Sequence, residues 1–153
     1  MLNRHSILFI EGMESRVEKA VTLFNEGYNC SQAVFVAYAD LFDIDRVTAL
    51  KLSSPFGGGM GGMRQVCGAV SGMTMLAGLH NGTSTPKDKD GKKANYATVQ
   101  LLSDEFKQAN GSIICGQLLG ITPGLAADRQ KKACSEYVRQ CAELVDKHLL
   151  GNQ

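Results

Sequence analysis

The chain has 153 residues, 44% of them apolar and 20% charged, which is enough for one hydrophobic core and too balanced for a disordered segment. Its formal charge is +1 with Lys and Arg dispersed, so there is no basic stripe for nucleic acid and no polybasic patch for a membrane surface. The apolar run at 7–10 is too short for a membrane span or the core of a signal peptide, and the expectation is a soluble, cytoplasmic chain without membrane insertion. Three N-x-S/T triplets, at Asn29, Asn81 and Asn110, then carry no weight as glycosylation sites.

Residues 1–12 show no clear period and read as an N-terminal extension. Met13 opens an amphipathic pattern through Val17, Ala20, Val21 and Phe24, with Gly27 suited to close that helix. Asn29 and Gln32 form a capping-box pair before Ala33, Val34, Val36, Ala37 and Leu41, which predicts a second helix. Asp45 caps a third through Val47, Leu50 and Leu52, and Pro55 stops it. A glycine-rich loop follows at 57–62, where five of six residues are glycine. A small-residue helix is predicted over 67–79, ending near Asn81 and Gly82. The polar segment 83–93 reads as a solvated loop, and helical spacing returns over 96–106, ending at Asn110 and Gly111. Ser112 caps a short turn through Cys115 and Leu118. The last helix is predicted over 128–149, with Cys134, Val138, Cys141, Val145 and Leu149 on one stripe. Strand alternation is absent, so the class is all-α: a single-domain bundle of five or six helices over 13–150, with a glycine-rich loop before the central helix.

Five cysteines in a reducing compartment are buried hydrophobes, redox thiols or metal ligands rather than a disulfide framework. Cys30, Cys67 and Cys115 fall where helices are predicted to begin, and a helix start favours thiolate over thiol. Cys134 follows Lys131 and Lys132, whose charge acts in the same direction if it lies nearby. The spacings are 37, 48 and 19 residues, with no C-x-x-C pair, so neither a zinc-finger nor a ferredoxin signature is present. Gly57, Gly59 and Gly62 formally match a dinucleotide-binding fingerprint, but no strand precedes them and no βαβ unit surrounds them. The loop is better read as a site of close backbone packing, or as bare N–H groups aimed at an anion or sulfur. His5, His80 and His148 are isolated and are read as solvated or helix-end residues.

Several segments together resemble a known family. Gly27-Tyr28-Asn29-Cys30-Ser31-Gln32-Ala33 is similar to its first cysteine segment and Phe56 through Gly62 to its glycine loop. Val66-Cys67-Gly68-Ala69-Val70-Ser71-Gly72 is similar to its central motif, Gly111-Ser112-Ile113-Ile114-Cys115 with Leu118-Leu119-Gly120 to its third segment, and Cys134 with Glu136, Tyr137 and Val138 to its fourth. These residues resemble the C_GCAxxG_C_C family of redox-active proteins over nearly the whole chain. Ser135 departs from the proline that the family usually carries after the fourth cysteine, and Cys141 has no counterpart and reads as an added core residue. The family's cysteine domain is similar to part of the split-Soret cytochromes, which implies electron transfer and an iron–sulfur centre.

Three functional expectations follow. In the first, Cys30, Cys67, Cys115 and Cys134 converge on one site and ligate an iron–sulfur or other metal centre, assisted by backbone at Gly58, Gly59, Gly61, Gly62 and Gly68. In the second, the same four cysteines act catalytically in dithiol–disulfide exchange, with Cys67 as the attacking thiolate. In the third, the cysteines are simply buried and the bundle binds a partner. A redox partner protein and a homo-oligomer are the partner classes these readings leave open.

Overall fold

The computed structural model describes residues 15–123 and 132–151. The expected extension at 1–12 and the expected helix start at Asp128 lie outside them. Seven α-helical segments are present among the described residues: α1 (Val17–Asn25), α2 (Cys30–Ala39), α3 (Arg46–Ser53), α4 (Gly68–Asn81), α5 (Lys89–Asn110), the single turn α6 (Cys115–Leu118) and α7 (Cys134–His148). The all-α expectation holds, and the one extended contact among these residues is an isolated antiparallel bridge between Val66 and Ile114.

Helix α2 is the central element. Its residues from Ala33 through Ala39 are all buried, because neighbours cover every side of it: α1, α3, α4 and α7. The predicted capping box is present, with Gln32 N–H donating to Asn29 Oδ1 at 3.0 Å and Asn29 N–H donating to Gln32 Oε1 at 3.0 Å. Asn29 therefore fixes the start of the helix one residue before Cys30. Helix α4 lies most extensively against α2, and the reason is glycine. A Cβ at Gly72 would stand 2.8 Å from the Ser31 carbonyl oxygen and 3.2 Å from Val34 Cβ, so the two backbones pack with little between them.

Two predicted elements shift. The expected loop at 83–93 is partly helix: α5 begins at Lys89, because Asp88 accepts from Gly91 N–H at 2.9 Å and Thr83 donates its hydroxyl to Asp88 at 2.7 Å. A mixed Lys and Asp composition looked like loop, but lysines are good helix formers once a cap is in place. In α3 the apolar residues divide: Leu50 packs against the core, whereas Val47 and Leu52 point outward. Val47 is 61% and Leu52 52% exposed, and the buried face is Ala49 with Ser53, whose hydroxyl donates to the Ala49 carbonyl. Asp45 does cap α3, accepting from Thr48 N–H at 3.0 Å.

Candidate functional site

Each of the four family cysteines opens a helix. Cys30 is the first residue of α2, Cys115 of α6 and Cys134 of α7, and Cys67 is the residue immediately before α4. For Cys134 this corrects the expected start at Asp128. Ala133 is extended and α7 begins at Cys134, so its sulfur also stands at a helix start. The expected lysine assistance is not found, since Lys132 donates to Asn110 Oδ1 at 2.9 Å and Lys131 lies outside the described residues.

The local folding that brings them together is legible atom by atom. Cys67 N–H donates to Ile113 O at 2.7 Å and Cys115 N–H to Gln65 O at 2.6 Å, on either side of the Val66–Ile114 bridge. The backbone just upstream of Cys67 is thereby tied to that just upstream of Cys115. The glycine loop closes from behind. Residues 58–62 all have positive φ, including Met60, and Gly59 packs so tightly that a Cβ there would stand 2.7 Å from Cys115 Cβ. Gly68 performs the same service for Cys30: a Cβ would run into Cys30 Sγ and come within 2.9 Å of the Phe56 carbonyl oxygen.

Cys30, Cys67, Cys115 and Cys134 consequently line one cavity of about 210 Å³. Asn29, Gly58 and Gly68 contribute to its wall, and Phe24, Leu118, Leu119 and Tyr137 supply most of the remaining apolar surface. Gly59 supports the cavity from behind Cys115, whereas Gly61 and Gly62 are exposed and do not line it. Cys141 is fully buried in α7 and does not line the cavity, as its core reading requires. His80 and His148 do not line it either, and His5 lies outside the described residues.

All five cysteines are free thiols. The expected acidification of Cys67 does not occur: burial pushes its thiol up to about 12, the nearby Cys30 adds to the rise, and the N–H groups of Val70 and Ala69 offset only part of it. Burial also raises Cys134, with Cys30 and Cys115 adding to the effect and Arg64 opposing it. Burial alone is the largest cause of the strong rise at Cys141. A helix start favours a thiolate, but removal from water outweighs it at Cys67, which is 6% exposed. The metal-free protein thus holds Cys67 as a neutral thiol at ordinary pH, which is the wrong state for an attacking nucleophile.

Residue-by-residue reading of the sequence missed Arg64. It is the charged side chain among the lining residues, and its guanidinium nitrogen stands 3.7 Å from Cys115 Sγ. No sequence motif marks it; the only signal was a basic residue three positions before the central cysteine.

The sequence over residues 28–148 matches the family described as "Putative redox-active protein (C_GCAxxG_C_C)". The chain belongs to the C_GCAxxG_C_C family. An uncharacterized protein of Archaeoglobus fulgidus is 28% identical over 144 residues, covering 88% of this chain and 93% of that protein. No solved structure matches the chain. Cys30, Cys67, Cys115 and Cys134 all lie within the matched span and line the cavity, and a side chain at Gly59 or Gly68 would collide with Cys115 or Cys30.

Among the described residues, no three Cys, His, Asp or Glu side chains are grouped to hold a single metal ion. The thiols stand around a space rather than closing on a point. That space exceeds the roughly 150 Å³ that accommodates a benzene-sized molecule, and its donor set is sulfur without a competing carboxylate or imidazole. The donor chemistry and the room fit a sulfur-ligated polynuclear group.

Proposed function

We propose that Cys30, Cys67, Cys115 and Cys134 ligate one iron–sulfur or other polynuclear metal centre in this cavity, and that the protein transfers electrons. The observation that carries the reading is the meeting of four cysteines, remote in sequence, on the wall of one half-enclosed cavity. When bound, such a centre would supply one-electron chemistry, and its cationic metal would favour the thiolate form that burial opposes at Cys67.

This chain's own residues have three tasks in that reading. The four cysteines provide anionic sulfur, and the helix starts direct backbone dipoles toward that charge. Phe24, Leu118, Leu119 and Tyr137 exclude water and lower the local dielectric, which tunes a redox potential. Gly59 and Gly68 hold Cys115 and Cys30 in place by leaving room for nothing else.

The reading is tested by purifying the protein without oxygen and recording its visible spectrum and its metal and sulfide content. A coloured protein with iron and sulfide that bleaches in each cysteine-to-serine variant at the four positions is expected. A colourless, metal-free protein with free thiols that also resists cluster reconstitution would overturn it. The raised Cys67 thiol argues against dithiol exchange begun by that residue.

A further inference from the structure

Arg64 occupies a conformation that its own backbone disfavours. Its φ is 61°, in the left-handed region where a side chain is strained and glycine is not. The surrounding backbone holds it there. Arg64 N–H donates to Gly58 O at 3.0 Å, Gly116 N–H donates to Arg64 O at 3.1 Å, and Gln65 N–H donates to Gly59 O at 2.9 Å. Glycine would fit the position at lower cost, and this loop uses glycine freely at 57–62.

The arginine side chain lines the sulfur cavity, 3.7 Å from Cys115 Sγ, on a wall otherwise formed by uncharged side chains and thiols. Gly116 makes room for it, since a Cβ there would stand 3.3 Å from Arg64 Cβ. Four thiolates around any metal–sulfide core carry more negative charge than the core neutralises, and the guanidinium of Arg64, a solvent-exposed residue at the cavity wall, offsets part of the excess.

We propose that Arg64 is the specificity-determining residue of the cavity and makes it selective for anionic occupants. The inference rests on the cavity being a ligand site, and it deepens the proposed function by naming the charge of what enters. The left-handed turn at Arg64 brings its guanidinium to the sulfur.

The test compares two thiol reagents on the reduced, metal-free protein, anionic iodoacetate and neutral iodoacetamide, with labelling at Cys30, Cys115 and Cys134 counted by peptide mass spectrometry. The ratio of the two rates cancels the fraction of thiolate and reports the field met by an incoming anion. Wild type and Arg64→Lys are expected to show a ratio about three- to tenfold higher than Arg64→Gln and Arg64→Gly, the range for one partly screened charge at contact distance. Arg64→Gly should also melt at the same or a higher temperature, so a lost ratio there cannot be ascribed to unfolding. An unchanged ratio in a stably folded Arg64→Gly would overturn the proposal. A protein that resists metal reconstitution yet shows the Arg64-dependent ratio would overturn the electron-transfer reading and leave this one standing; one that takes up metal on reconstitution but shows no such dependence when stripped would do the reverse.

Discussion

Gly68 and Gly72 face α2 from the same helix, and their alanine variants separate the packing of the bundle from the shape of the site. At Gly72 a new Cβ meets the Ser31 carbonyl oxygen at 2.8 Å and Phe35 N at 3.4 Å, which are backbone atoms of α2 that cannot move alone. At Gly68 it meets Cys30 Sγ, the Phe56 carbonyl oxygen at 2.9 Å and Ser31 N at 3.3 Å. Alanine gains up to about 1 kcal/mol of helix propensity inside a helix, and overpacking a tight interface costs about 1–3 kcal/mol. Contacts this short with backbone belong at the upper end, leaving a net loss of about 1–2 kcal/mol in each variant, or roughly 2–8 °C in melting temperature for a chain of this size. Thermal unfolding of the reduced, metal-free proteins by circular dichroism measures that loss. Metal content after anaerobic reconstitution then separates the two, because only Gly68→Ala displaces a cysteine of the cavity. Melting temperatures equal to or above wild type in both variants would refute the close α2–α4 packing. Equal metal content in Gly68→Ala and Gly72→Ala would refute the claim that Gly68 shapes the site.

Two further outcomes follow from the same cavity. Burial raises the folded-state Cys67 thiol from its ordinary 9.0 to about 12, so the unfolded chain gives up that proton first. The associated stability is complete below about pH 9 and is lost as pH rises toward about 12; Tyr38 and Cys141, raised by burial in the same sense, add to the slope. The urea midpoint of the metal-free protein should therefore fall between about pH 8 and about pH 10.5, less steeply in Cys67→Ala, and a flat or rising midpoint would contradict the burial argument. Cys141→Ser places a hydroxyl in a fully buried position at a cost of about 1–3 kcal/mol, while metal uptake stays at the wild-type level. Loss of metal in a folded Cys141→Ser would place that sulfur in the site and remove it from the core.

Local signals in the sequence determined most of the helices. Asn29 with Gln32 and Asp45 with Thr48 cap α2 and α3 through hydrogen bonds made within four residues, and such contacts are readable without knowing the fold. The α5 boundary was misread because its cap, Asp88, lies in a polar run with no apolar period to frame it. In α3 spacing shows which residues are apolar, whereas only the neighbours decide which are covered: Leu50 is, and Val47 and Leu52 are not.

The four cysteines and the glycines near them were legible as residues, and the family resemblance was legible as a pattern. Their meeting was not, because sulfurs 37, 48 and 19 residues apart share no local geometry. Tertiary packing decided it, through the Val66–Ile114 bridge and the glycine contact between α2 and α4. Packing also decided the protonation of Cys67, since a helix start can be guessed from sequence but the removal of water that outweighs it requires every surrounding element in place. Arg64 belongs wholly to that second category: a strained backbone angle and a sulfur 51 residues away give it its place at the cavity wall, and neither is written in the residues beside it.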